Sequence, residues 1–128
     1  MPRGDGNAAS RRHDHLRLGR HGEDLVARWY VSRGAQVLAR NWRCKQGEID
    51  LVLLEGREVV FCEVKTRSSG RYGSPFEAVD ARRRSRLRAA GMEFLRSGEP
   101  RPAAGRVGVR FDIAAVIGSK VEVITAAF

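Results

Sequence analysis

Between Leu16 and Arg33 the apolar side chains Leu18, Leu25, Val26, Trp29 and Tyr30 recur at three- and four-residue spacings. That is the period of one helix face, and Gly34 stands just past the end, where a helix commonly closes on a left-handed residue. Three strand-like runs follow, Gln36 to Trp42, Glu48 to Glu55 and Glu58 to Thr66. Only Glu55, Gly56 and Arg57 separate the second from the third, so these two pair as an antiparallel hairpin. A polar, glycine-rich loop from Arg67 to Ser74 then leads into a capping signature. Ser74 caps, Pro75 suits the first turn, and Glu77 falls three residues after Ser74, which predicts a helix from there to about Arg96. Phe76, Val79, Leu87, Ala90, Phe94 and Leu95 are its residues for burial. Beyond a loop holding Pro100 and Pro102, the runs Val107 to Ile117 and Val121 to Ala126 form two more strands about a turn at Gly118 and Ser119. The order α, three strands, α, two strands predicts an α/β domain with a mixed sheet of about five strands flanked by two main helices.

Size and charge narrow the partners. A chain of 128 residues is one domain, able to bury roughly two-thirds of its unfolded surface. The segment from Met1 to His15 has almost no apolar content and reads as a disordered basic tail, leaving the domain from 16 to 128. His13 and His15 belong to that solvated tail, and its R-G-D triplet is chance. No internal repeat is visible. A net charge of +9 and a pI near 10.9 argue for a polyanionic partner, nucleic acid before anionic membrane. No apolar run approaches the roughly 20 residues of a spanning helix, and the N-terminus lacks a signal-like stretch, so the expected location is cytoplasmic. Cys44 and Cys62 have no C-x-x-C spacing and suggest neither a zinc site nor a disulfide framework.

Chemistry concentrates in G-E-I-D, ending at Asp50, and E-V-K, from Glu63 to Lys65. Side chains two apart in a strand share a face, so Glu63 and Lys65 project together, beside Asp50 if the two runs pair. Two acids and an ammonium on one sheet face can hold a divalent metal and a water beside a phosphate. The plain alternative is a cross-strand ion pair on a solvated face, worth about 0.2 to 1 kcal/mol. Against it, the acids are interleaved with Leu51 to Leu54 and with Val60, Phe61, Cys62 and Val64, where unpaired charge is costly. Of the 24 lysines and arginines only Lys45, Lys65 and Lys120 are lysine, so a lysine inside the acidic cluster looks selected for a compact, water-holding ammonium.

The run G-E-I-D-L-V-L, then V-F-C-E-V-K-T-R, resembles the D…(D/E)-x-K core of the PD-(D/E)xK nucleases, the restriction-endonuclease-like and Holliday-junction-resolvase-like superfamily. More closely the chain is similar to the YraN family of small bacterial proteins. G-E-D-L-V-A at Gly22 to Ala27, G-S-P-F-E-A-V at Gly73 to Val79, R-F-D-I at Arg110 to Ile113 and the final A-F carry that likeness. It covers roughly Leu16 to Phe128. The resemblance implies that Asp50 and Glu63 are metal ligands, that Lys65 is a catalytic lysine, and that Glu23 matches an acid on the first helix of resolvase-like members. Ile49 precedes Asp50 where restriction enzymes have proline, as is usual outside that group. Two readings of Glu23 stand side by side, a metal role and a helix-dipole acid. Glu48 falls on the opposite strand face if alternation holds and is not counted as a ligand, and Asp112 is a buried, structural acid.

The implied reaction is hydrolysis of DNA phosphodiester bonds with Mg²⁺ or Mn²⁺, which suit a site of two carboxylates, waters and a substrate phosphate. Substrate binding falls to Arg67 and Arg71, in the loop after E-V-K, and to Arg82, Arg83, Arg84, Arg86 and Arg88 on the second helix, whose plain alternative is a solvated face. Tyr72 stacks on a base or packs. Branched DNA is the expected preference, cut by a homodimer as resolvase-like relatives cut paired strands. The alternative is a non-catalytic nucleic-acid-binding module that retains the nuclease fold. Degenerate members usually lose an acid or the lysine, and all are present here.

Overall fold

The computed structural model of the chain describes residues 19–67, 76, 79–98 and 108–128. The basic tail, Arg71, Tyr72, the cap residues Ser74, Pro75 and Glu77, and the loop with Pro100 and Pro102 lie outside them. Helix α1 runs to residue 32, followed by β1 (Gln36–Cys44), β2 (Gly47–Glu55), β3 (Glu58–Arg67), α2 (Ala81–Arg96), β4 (Gly108–Ile117) and β5 (Lys120–Ile124). The strands form one mixed sheet in the order β1-β2-β3-β4-β5. Among the described residues only β3 and β4 are parallel, and α2 supplies the crossover a parallel pair needs.

Strands β2 and β3 are central and covered on both faces, which is why L-V-L-L and V-V-F-C are continuous apolar runs rather than alternating ones. On one face, Val26, Ala27 and Tyr30 of α1 pack over Leu51, Leu53, Val60, Cys62, Ala114 and Val116. On the other, Ala90 and Phe94 of α2 pack over Ile49, Val52, Val59 and Phe61. Gly91 lets α2 approach closely, since a Cβ there would lie 3.0 Å from Phe61 and 3.1 Å from Phe111. Gly22 does the same for α1, where a Cβ would run into the Thr66 side chain.

The second helix starts later than its capping signature predicts. Asp80 has extended backbone at ψ 177°, and its Oδ1 accepts the Arg83 N–H at 2.9 Å, so Asp80 is the N-cap and the helix begins at Ala81. A short cap signature is a local preference, while Val79 is drawn into a cluster with Leu87, Ile113, Phe76 and Phe128 that fixes where the helix can start. Strand β1 extends two residues further than expected, to Cys44, and β5 occupies Lys120–Ile124 rather than reaching Ala126.

Asp112 is fully buried on the α1 side of β4, as its apolar neighbours imply. It accepts from the Tyr30 hydroxyl at 2.5 Å, from Arg110 at 2.8 and 2.9 Å, and from the Ala126 N–H at 3.0 Å. Arg110 also reaches Glu55 at 3.1 Å and Glu58 at 3.2 Å. Burial and the adjoining carboxylate push the Tyr30 phenol well above its usual range, which keeps it a hydrogen-bond donor to Asp112. This acid ties α1, β4 and the chain end together, so its role is structural.

Candidate active site

Strand pairing creates the site. The β2–β3 ladder ends at Leu51 opposite Cys62, while β2 continues to pair with β1 through Ile49 and Glu48, and β3 continues alongside β4 through Glu63 and Lys65. The two central strands therefore fork at Asp50. A parting ladder leaves backbone groups without partners, and Asp50 meets one of them by accepting the Val64 N–H at 2.8 Å through Oδ2. Glu63 lies across the fork on the α2 side and is 3% exposed. The Asp50 carboxyl is pushed up to about 9 by burial first, then by its hydrogen bond and charge interaction with Glu63, against the Val64 N–H and with Glu23 adding to it. Burial and the neighbouring Glu63 carboxylate thus both favour the protonated form of Asp50.

Glu23 reaches the same cluster from α1. Its Oε2 accepts from Asn41 at 3.1 Å, and Arg40 approaches Oε1 at 3.9 Å. Burial raises its carboxyl above the ordinary value, opposed by Asn41 and Arg40, while Glu48 and Asp24 push the same way as burial. Asn41 achieves this from a left-handed backbone, φ 50°, a conformation that asparagine tolerates better than most residues. Sequence reading missed it, although an asparagine within an otherwise strand-like run was the available sign.

Strict alternation along β2 breaks at Asp50, and Glu48, next to Ile49, stays on the face away from Glu63. Ile49 and Val52 both join the α2-side cluster, and Glu48 acts on Glu23 and on Arg83. Glu48 is therefore part of the field around the fork, with Arg43 3.4 Å away as its own partner.

Lys65 shares the face of Glu63, as spacing predicts. Among the described residues it makes no ion pair with either acid; it lines a cleft of about 300 Å³ with Asp80, Arg82, Arg83 and Arg86. The charge that compensates Glu63 is Arg83, whose Nε and Nη2 both contact Oε2, at 2.9 and 2.8 Å. Burial opposes the Arg83 charge, but Glu63, Asp50 and Glu48 more than offset it. The arginines read as one substrate-binding set thus divide. Arg83 faces the acids, Arg84 binds the Val79 carbonyl at 3.0 Å, and Arg84 and Arg88 lie over the Phe128 ring at 5.7 and 5.6 Å. Arg82 and Arg86 remain exposed, and Arg67 contacts the Thr66 carbonyl at 3.5 Å.

Among the described residues no group of three or more His, Cys, Asp and Glu side chains is arranged to hold a metal ion. The donors at the fork, Asp50 and Glu63, are two hard carboxylates. That set fits Mg²⁺ or Mn²⁺ in the mode that uses one or two protein carboxylates, waters and a substrate phosphate, and does not fit an all-protein cage. Among the described residues no helix is long and apolar enough to cross a membrane.

Residues 22–116 match the sequence profile of uncharacterised protein family UPF0102, a stretch that holds Glu23, Asp50, Glu63, Lys65 and all of α2. A UPF0102 protein of Frankia casuarinae is 50% identical over 96 residues, covering 75% of this chain and 78% of the relative. One from Rhodococcus jostii is 45% identical, covering 80% and 83%, and one from Acidothermus cellulolyticus is 38% identical, covering 87% and 92%.

Proposed function

This chain belongs to the uncharacterised protein family UPF0102, and from its site we propose that it hydrolyses phosphodiester bonds in DNA with Mg²⁺ or Mn²⁺. One observation carries the proposal. The β2–β3 fork sets Asp50 against Glu63, with Lys65 two residues along the same face, beside a cleft lined by Arg82, Arg83 and Arg86. Asp50 and Glu63 would hold the ion, whose chemistry is to lower the pKa of a water and neutralise charge on the phosphoryl group. Lys65 holds the attacking water or a phosphoryl oxygen with its ammonium, which a planar guanidinium would do less well. Arg82 and Arg86 bind flanking phosphates, and the buried side of the fork limits access of bulk water. Branched DNA as the preferred substrate, and a homodimer as the cutting form, belong to the same proposal.

A second reading has its own observation. Glu63 is already neutralised by Arg83 through two contacts, as expected of a nucleic-acid-binding module that keeps the fold without the reaction. Incubation of labelled four-way-junction, flap, duplex and single-stranded DNA with Mg²⁺ or Mn²⁺ separates the two. Wild-type protein is expected to cut, and Glu63→Ala and Lys65→Ala to bind without cutting. Salt-sensitive binding with no cleavage of any substrate would establish the binding module instead.

A further inference from the structure

Three cations converge on a second cleft, of about 660 Å³, lined by Lys45, Gln46 and Gly47 on one wall and Arg82, Ser85, Arg86 and Ala89 on the other. One wall is the tight turn joining β1 to β2, closed by the Cys44–Gly47 pair, and the other is the outer face of α2. Among the described residues that line it, none is acidic. Arg40, Arg43, Arg83 and Arg110 face carboxylates, and Arg84 and Arg88 lie over the Phe128 ring. Among the described residues Lys45, Arg82 and Arg86 have neither kind of partner.

Their placement costs the free protein stability in two ways. Arg82 and Arg86 are four apart on a helix, where like charges repel by about 0.2 to 0.5 kcal/mol. Arg82, Arg83 and Arg84 occupy the first turn of α2, which holds no acid and where the helix dipole disfavours cations. Among the described residues lining the adjoining cleft with Lys65 the one carboxylate is Asp80, whose Oδ1 accepts the Arg83 N–H. Arg82 and Arg86 line both clefts, so the cationic surface is continuous from Lys45 to Lys65. Gly47, at φ 148°, has open space where a Cβ would point, which leaves the cleft wall low beside the turn.

We propose that this cleft seats the phosphodiester backbone of the DNA strand flanking the bond presented to the fork, with Lys45 and Arg86 on neighbouring phosphates and Arg82 handing the strand on to Lys65. The inference rests on the DNA-binding part of the proposed function and not on cleavage. A strand held between the turn and α2 is fixed in direction relative to Asp50 and Glu63. Contacts of this kind position the backbone without reading base identity.

Fluorescence anisotropy of labelled DNA in EDTA, across a salt series, tests it with wild-type protein, Lys45→Gln, Arg86→Gln and the double variant. Arg57→Gln removes the same charge from the β2–β3 turn at the other end of β2 and serves as the control. Each cleft variant is expected to weaken binding and to flatten the log-log salt dependence by about one unit, the double variant by about two, with Arg57→Gln near wild type. Equal losses in all variants would mean a diffuse charge effect and overturn the cleft. Wild-type binding that the cleft variants leave intact would also overturn it, whether or not the protein cuts. Cleft-dependent binding without cleavage by wild-type protein would sink the nuclease reading alone and leave the cleft standing.

Discussion

Replacing Asp50 with asparagine should stabilise the metal-free protein, and increasingly so as pH rises. The folded carboxyl is pushed up to about 9 from an ordinary value of 3.8, so between roughly pH 5 and 8 the native state carries a proton that the unfolded chain has released. A group raised in this way contributes stability that is complete below its unfolded value and is lost as pH climbs through its folded value. One extra bound proton corresponds to a slope of about 1.4 kcal/mol per pH unit, or about 2.7 kcal/mol between pH 5.5 and 7.5. Asparagine copies the protonated acid: its oxygen can accept the Val64 N–H and its amide can donate to Glu63. Urea denaturation in EDTA at several pH values, followed by circular dichroism, should show wild-type stability falling with pH relative to Asp50→Asn. With a urea dependence of about 1 to 3 kcal/mol per molar, the midpoints should diverge by about 1 to 3 M over that interval. Parallel pH profiles would refute the reasoning, because they would mean that Asp50 is ionised in the folded protein and that nearby cations offset the fork's burial.

Other substitutions probe the rest of the frame. Asp112→Ala strips the partner of Arg110, the Tyr30 hydroxyl and the Ala126 N–H at once, and should cost about 3 to 5 kcal/mol in urea unfolding; a loss under 1 kcal/mol would show that Arg110 repairs the network through Glu55 and Glu58. Gly91→Ala forces a Cβ against Phe61 and Phe111 and should cost about 1 to 3 kcal/mol, measurable as a lowered thermal midpoint, whereas an unchanged midpoint would mean that α2 shifts freely on the sheet. Arg83→Gln leaves buried Glu63 without its cation, so the EDTA-treated variant should melt lower than wild type while gaining more from added Mn²⁺. Equal Mn²⁺ responses would separate Arg83 from any cation site at the fork.

Much of the fold was legible because its signals are local or periodic. Helical spacing in α1, the two-sided apolar runs of β2 and β3, and the short turn between them each depend on residues a few positions apart. The same holds for Glu63 and Lys65 sharing a face. The start of α2 was not legible in this way, since the Ser74 signature competes with a packing cluster around Val79 assembled from three distant segments. Nor was the division of labour among the arginines. In sequence Arg82 to Arg88 look alike, and only the sheet beneath and the chain end beside them make Arg83 a partner of Glu63 and Arg88 a lid over Phe128.

The sequence by itself determined the element order, the pairing of β2 with β3, the excess of positive charge and the spacing that puts Glu63 and Lys65 two apart in one strand, all through spacing and composition. Tertiary structure alone decided that the ladder breaks at Asp50, that Glu23 arrives there by way of a left-handed Asn41, and that Lys45 joins Arg82 and Arg86 across a cleft. These features depend on where one strand stops pairing and how closely a helix settles on the sheet. Both are set by the balance of backbone hydrogen bonding and side-chain packing over the whole domain, a sum over distant contacts that no short stretch of residues encodes.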